Sequence, residues 1–428
     1  MRVAEPARQA PGAAEVTERM RPRGVVLRVA VVIGLAELGF ATIIPLLPLH
    51  LTERLGASVK LVGVVVAAFA LTETFLKTAW GSVADRLGRR PMIMTGLVVS
   101  SVAPLLMSVL RQAWLFVPLR VIDGAGSSAL WPAASAIIAD TTPPHRRATA
   151  MGVLNMFFLA GLAFGPTLGL FVVGFSGSYT AGFYLAAVVL LAAAVVAAFT
   201  LRGLGHTHLP PSDVDVVGYH GTAPNPELEA VVEETRRVPL LGVMLVVAFV
   251  QMFSAGLLAP ILVIYAKRIV GLSEQMIGTL FLVLMLTVAL ASLAAGHLAD
   301  RWGKMRSVSL GMVLGSLGLW LLPLSPRLTL LAVSAVLLGV SYALSTPAWH
   351  ALISELAPPG RTGLTMGASQ TAQGLGLVLG PLLGGLMWDT LGHRSPFLGA
   401  AALLTAGTVV MWLAMRRLAR GGAPSGRR

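Results

Sequence analysis

Five charged side chains stand inside long apolar runs: Glu37, Glu73, Lys77, Arg120 and Asp123. Holding a charge in hydrocarbon is expensive, so an ionisable group at such a place reads as functional by default. Glu37 lies roughly twelve residues into the first run, which starts at Gly24, hence ~18 Å along a helix rising ~1.5 Å per residue and near the middle of a ~30 Å hydrocarbon core. A lone carboxyl there can exchange a proton or pair with a cationic substrate; the alternative is a structural hydrogen bond. Arg120 and Asp123 are spaced i,i+3 and share one helical face. Arg120 can therefore hold Asp123 ionised or release it as its surroundings change, and a purely structural pair is the other reading. Glu73 and Lys77 form an i,i+4 pair, with Lys77 nearer the end of its span and able to snorkel to that interface.

These residues need an apolar scaffold, and the composition supplies one. Of 428 residues, 56% are hydrophobic and 12% charged, with 46 Gly and 26 Pro, and the mean hydropathy is +0.80. That excludes an ordinary soluble domain and fits a helical membrane protein, where Gly and Pro are better tolerated. The net charge of +13 does not point to nucleic acid, because the basic residues flank apolar runs. Cysteine is absent, which excludes disulfides and thiol chemistry. His50, His145, His350 and His393 stand singly, His206 and His208 lie in a polar stretch, and no phosphate-binding glycine loop is present. A metal site, an ATP-driven pump and an enzyme are thus not expected, and no cofactor is implied beyond a proton gradient.

Runs of ~20 apolar residues give twelve expected spans, beginning near Gly24, Leu61, Pro91, Ala113, Ala150, Tyr179, Leu240, Gln275, Ser307, Leu328, Leu364 and Phe397. The expected organisation is a polar tail over 1–23, six helices over 24–200, a linker over 201–239, six more over 240–415 and a basic tail over 416–428. The start of the chain lacks the pattern of a cleavable signal, so the first span is expected to remain. Most Lys and Arg fall on one side if both termini are cytoplasmic, against Arg54, Lys60, Arg111, Lys267, Arg268, Arg327 and Arg394 on the other. The positive-inside bias therefore favours cytoplasmic termini.

An internal repeat runs through the chain at an offset of 215 residues: Pro45 matches Pro260, Gly81 matches Gly296, Asp85 matches Asp300, Gly124 matches Gly339, and Gly165-Pro166 matches Gly380-Pro381. Parallel repeats of six helices are a transporter architecture, with the substrate site between the halves near the midplane. The fold expected is thus an all-α membrane protein of twelve helices in two six-helix bundles.

Three motifs carry a family resemblance. After spans two and eight come Gly81-Ser-Val-Ala-Asp85-Arg86-Leu-Gly88-Arg89-Arg90 and Gly296-His-Leu-Ala-Asp300-Arg301-Trp-Gly303-Lys304-Met305-Arg306. The glycines permit close approach and a tight turn, and the Asp with its cationic neighbours makes charge and helix-dipole contacts. The doubled copy resembles the loop signature of the major facilitator superfamily. That resemblance implies a conformational gate built from Gly81, Asp85, Arg86, Gly88, Arg89, Arg90, Gly296, Asp300 and Arg301; plain positive-inside anchoring is the alternative. Arg120-x-x-Asp123-Gly124 is similar to the family's span-four signature associated with proton coupling, with Asp123 in place of the usual Gln. Gly161-x-x-x-Gly165-Pro166-x-x-Gly169 resembles the span-five signature of the twelve-span drug:proton antiporter branch, and recurs as Gly376, Gly380, Pro381 and Gly384. Glycines four apart form a flat strip and proline bends a helix, so packing is the reading for these positions.

What the resemblance implies is proton-coupled efflux of small amphipathic drug-like compounds or metabolites, by alternating access, in a bacterial inner membrane. The partners implied are protons, a small-molecule substrate and the lipid bilayer, with a monomer as the functional unit. Proton coupling is assigned to Glu37, Asp123, Arg120 and Glu73. A substrate wall is assigned to Gln251, Met252, Ser254, Tyr342, Gln370 and Gln373, because the second half lacks midplane charge. A same-fold importer or uniporter and a non-transporting sensor remain as alternatives.

Overall fold

The computed structural model describes residues 22–202, 239–324, 327–357 and 361–421. Residues 1–21 of the expected 1–23 tail, almost all of the linker and the last residues lie outside the described residues. Twelve helical spans account for nearly all of the rest. They are α1 (Pro22–Leu49), α2 (Val59–Leu87), α3 (Arg89–Val109), α4 (Phe116–Ser127, continued by Leu130–Thr141), α5 (Arg147–Ser176), α6 (Tyr179–Thr200), α7 (Pro239–Leu258, continued by Ile261–Arg268), α8 (Glu274–Trp302), α9 (Lys304–Leu321), α10 (Leu328–Leu356), α11 (Thr362–Leu391) and α12 (Ser395–Gly421). Each begins within a few residues of the start expected from hydropathy. Ten are long and apolar enough to cross a membrane by themselves; α4 is interrupted at Ser128–Ala129, and α9 is a single run of 18 residues.

The ends of the spans follow from local chemistry. Ser58 caps α2, its Oγ accepting a hydrogen bond from the Leu61 N–H at 3.2 Å, which satisfies one of the orphan amides of a helix start. At the other end of α2, Gly88 takes φ +92° and the chain turns straight into α3; Gly303 does the same between α8 and α9 at φ +93°. A side chain at either place would be strained, which accounts for the second glycine of each copy of the loop motif. We call this end of the molecule the motif end, and the opposite one the far end. There α1 runs on into a π-helical turn, His50–Arg54.

Within the first half α1 packs on α5 and α6, and α2 on α4; in the second half α7 packs on α11 and α12, and α9 on α10. The halves meet along α2 with α11 and along α5 with α8. Glycine permits the closest of these approaches. A Cβ at Gly165 would lie 2.6 Å from the Ala41 Cβ, and one at Gly380 would lie 2.6 Å from Gly256. Across the halves, a Cβ at Gly63 would collide with the Pro381 carbonyl oxygen, and one at Gly278 would press on Leu170 and on the Thr167 carbonyl. A Cβ at Gly63 would also lie near Gly385, and since Gly63 and Gly278 are repeat-related, as are Gly385 and Leu170, the two seams are equivalent contacts about a pseudo-two-fold axis.

Candidate functional site

Three helices of the first half bring the five intramembrane charges together. Arg120 and Asp123, on the first segment of α4, form an ion pair with Nη1 to Oδ2 at 2.6 Å, their side chains 10% and 0% exposed. The i,i+3 spacing makes the pair local, and α2 closes over it: the Arg120 guanidinium stacks on the Phe69 ring at 3.8 Å, and Gly124 lies against Thr72 and the Phe69 carbonyl. The pair is not fully satisfied. Arg120 Nε is buried without a hydrogen-bond partner among the described residues, and the buried Ser100 hydroxyl faces the Asp123 carboxylate, which leaves donor capacity for water.

One layer away on α2, Lys77 Nζ meets Glu73 Oε1 at 2.7 Å, both side chains about one-third exposed (36% and 34%). Glu37, on α1, is half-buried and makes no hydrogen bond or ion pair with any described residue. Its surroundings are nonetheless charged: Glu73 and Lys77 act on it electrostatically, and Glu73 also acts on Arg120 and Asp123. Two ion pairs compensate themselves, and Glu37 is the carboxyl left over.

The second half has no counterpart. At the repeat-related positions stand Met252 for Glu37, Val288 for Glu73, Ser292 for Lys77, Ala335 for Arg120 and Leu338 for Asp123. Of the residues assigned to a substrate wall, Gln251, Met252 and Gln373 are half-buried, Gln370 and Tyr342 are exposed, and Ser254 is only 1% exposed, with its hydroxyl unpartnered. Phe249 and Phe253 stack beside Met252, centroids 5.4 Å apart. In the first half an apolar recess of about 210 Å³ opens between α1 and α5, lined by Val31, Gly34, Leu35, Leu38, Phe157, Ala160, Gly161 and Phe164.

The glycine strips assigned to packing run along two helix pairs. Gly161, Gly165 and Gly169 lie against α1 from Gly34 to Leu46, and Gly376, Gly380 and Gly384 lie against α7 from Phe249 to Ile261. Pro166 and Pro381 sit within continuous helices.

At the motif end, the backbones of Gly81, Asp85 and Arg86 belong to α2 and those of Gly296 and Asp300 to α8; their side chains lie outside the described residues. Arg89 Nη1 pairs with Asp140 Oδ2 at 2.6 Å, and Arg90 Nη2 donates to the Ala198 carbonyl at 3.1 Å. In the second half Lys304 pairs with Glu355. Arg89 and Lys304 are repeat-related, and so are Asp140 and Glu355. The same ion pair thus ties the loop after α2 to the end of α4 and the loop after α8 to the end of α10. Sequence reasoning missed both acids. Their signal was an acidic residue at each of two positions 215 apart, close before the matched Pro143-Pro144 and Pro358-Pro359.

At the far end the two halves are joined by polar contacts. Arg268 Nε donates to Glu53 Oε1 at 2.6 Å and its Nη2 to the Thr52 carbonyl at 2.7 Å. The Lys60 amide donates to Asp389 Oδ2 at 2.7 Å, and the Tyr179 hydroxyl to Glu274 Oε1 at 3.2 Å. Glu274 in turn holds Lys267 at 2.8 Å. Deeper in the same seam the Thr167 hydroxyl donates to the Gly278 carbonyl at 3.1 Å.

Two duplicated six-helix bundles, with a charge cluster in one of them and seams related by a pseudo-two-fold axis, define a multi-pass membrane protein of transporter architecture. The chain matches the Major Facilitator Superfamily over residues 29–244 and 244–428, and it belongs to that family. It is 26% identical over 386 residues to Multidrug resistance protein 2 of Bacillus subtilis (strain 168), covering 89% of this chain and 93% of that protein. It is 26% identical over 388 residues to Multidrug resistance protein MdtG of Salmonella paratyphi C (strain RKS4594), covering 88% and 92%. Among solved structures, the nucleoside transporter NupG shares its fold with a TM-score of 0.69 at 14% identity, covering 92% of this chain and 98% of that one. The human organic anion transporter MFSD10 does so with a TM-score of 0.63 at 19% identity, covering 92% and 100%.

Proposed function

We propose that this protein exports small, amphipathic, drug-like compounds in exchange for protons by alternating access. The observation that carries the reading is the isolation of Glu37: Glu73 has Lys77 and Asp123 has Arg120, whereas Glu37 has no partner among the described residues. A carboxylate left unpaired at mid-membrane depth is discharged by a proton or by a cationic group, and the two compete for it. That competition is what an antiporter requires, because a ligand shifts a two-state equilibrium only by its differential affinity for the two states. The proton relay runs through Glu37, with Glu73 and the Arg120–Asp123 pair setting the field around it. Apolar and weakly polar groups, including Met252, the Phe249–Phe253 stack and Gln373, supply an adaptable wall for substrates of varied shape.

Export of drug-like compounds is supported by the two relatives named as multidrug resistance proteins, each matched along nearly its whole length. Orientation rests on charge. The motif end carries most of the 32 Lys and Arg, so it faces the cytoplasm, both termini with it, and the membrane is the bacterial inner membrane. The loops of the motif end form the cytoplasmic gate, with Asp85, Arg86, Asp300 and Arg301 joined by the Arg89–Asp140 and Lys304–Glu355 anchors. A monomer suffices, since one chain supplies both halves of the cavity. The test is proton release from acid-loaded inside-out vesicles on adding cationic, neutral and anionic compounds. Release that depends on compound and is lost in Glu37→Gln is expected; release unchanged in that variant would remove Glu37 from coupling.

A further inference from the structure

We propose that Glu53 and Arg268 are the central latch that holds the far end of the transporter shut, and that this ion pair must break each time the cavity opens on that side. The inference rests on the alternating access proposed above, and not on proton coupling or on the identity of the substrate.

Residues 53 and 268 are separated by the repeat offset of 215, so they are the same site in the two halves, and two equivalent sites can touch only close to the axis that relates them. Two identical side chains there would give no ion pair. The duplicated site carries Glu in one half and Arg in the other, and the pair forms at 2.6 Å. Arg268 spends a second donor on the Thr52 carbonyl at 2.7 Å, so the guanidinium grips the end of α1 in two directions. Charge-assisted contacts of this kind are the strong ones, and the planar fork of Arg is suited to them. The side chains are 29% and 38% exposed, so the contact is not sealed from water and can exchange.

Local structure serves the same contact. Glu53 and Thr52 lie on the π-helical turn His50–Arg54, an uncommon conformation that recurs at functional sites. Behind it His50 is buried among Phe116, Tyr179 and Phe183, which fixes the turn against α6. The flanking contacts come in related places: Lys60 touches Asp389, and Gln275 touches Gly174, with Lys60 matched to Gln275 and Gly174 to Asp389. Rocking about the axis therefore separates the flanks together with the central pair, which is the charge–charge contact of the set. By contrast, Arg89–Asp140 and Lys304–Glu355 each stay within one half and survive such rocking.

The absence of cysteine makes the test direct. Spin labels at Gln112→Cys and Arg327→Cys, on repeat-related far-end loops of opposite halves, report the separation in lipid nanodiscs by pulsed electron resonance. Glu53→Gln and Arg268→Gln are each expected to raise the population with widely separated labels on the order of ten-fold, the worth of one charge-assisted hydrogen bond. The exchange Glu53→Arg with Arg268→Glu is expected to restore the short distance. An unchanged distance distribution in both single variants would overturn the latch. Should a variant fail to fold, joining Glu53→Cys to Arg268→Cys with a short bifunctional thiol reagent provides the second test. Cross-linked protein is expected to stop transporting while singly labelled protein continues, and continued transport after cross-linking would overturn the proposal. The distance measurement reads the latch even if no proton is released on transport, so its failure and a failure of proton coupling are separable.

Discussion

Gly161 and Glu37 share one space: a Cβ at position 161 would lie 2.9 Å from the Glu37 Cβ and 2.8 Å from the Leu38 amide. The glycine on α5 thus sets where the carboxyl on α1 can stand, and a packing residue becomes a positioning residue for the charge. Gly161→Val is expected to cost about 1–3 kcal/mol through overpacking and to abolish transport. Gly152→Ala and Gly367→Ala, at repeat-related sites with nothing within 4 Å, are expected to be neutral or to stabilise by up to ~1 kcal/mol through helix propensity. Thermal unfolding in detergent compares the three; equal losses would show that the glycines do not act through contact.

Removing one partner of the buried pair leaves the other charge alone. Asp123→Asn, which strands Arg120 beneath Phe69, is expected to cost about 3–5 kcal/mol, as breaking a buried ion pair does. Arg120→Ala combined with Asp123→Leu copies the Ala335 and Leu338 of the second half. That double variant is expected to recover most of the folding stability while leaving transport lost. Recovery of both would reduce the pair to scaffolding.

The motif-end anchors should behave in the opposite way. The side chains of Arg89, Asp140, Lys304 and Glu355 are all partly exposed, and pairs of that kind contribute about 0–1 kcal/mol. Asp140→Asn and Glu355→Gln are therefore expected to leave the unfolding midpoint nearly unchanged while slowing transport, with the two together slower than either alone. A large loss of stability with normal turnover would contradict a gating role.

The span boundaries, the duplication and the five intramembrane charges were legible because each is written in local sequence: hydropathy over ~20 residues, matched glycines and prolines, charges inside apolar runs. The α4 interruption at Ser128–Ala129 and the π-helical turn at His50–Arg54 were not legible, since neither needs a distinctive residue type. Nor was the meeting of Glu53 with Arg268. In sequence, Arg268 counts only as a cation in a loop, and what gives it a partner is the docking of two halves whose helices meet through glycines at Gly63, Gly278 and Gly385. Asp140 and Glu355 fall between these cases, visible to the repeat but invisible to the motif.

The isolation of Glu37 follows from the same assembly. Its distance from the start of the first apolar run put it at mid-depth, and only the placement of Glu73, Lys77, Arg120 and Asp123 around it shows that the other four charges compensate one another in twos. If that arithmetic governs coupling, Glu73→Gln, which strands Lys77 beside Glu37, is expected to weaken transport of cationic compounds more than of neutral ones. A parallel loss for both classes in vesicle uptake would contradict it.

The most direct test of the account is proton release from acid-loaded inside-out vesicles, followed with a pH-quenched dye while compounds are added, for wild type and Glu37→Gln at matched amounts of folded protein. Compound-dependent release in the wild type and none in the variant is the predicted result. Equal release from both would contradict the assignment of the coupled proton to Glu37.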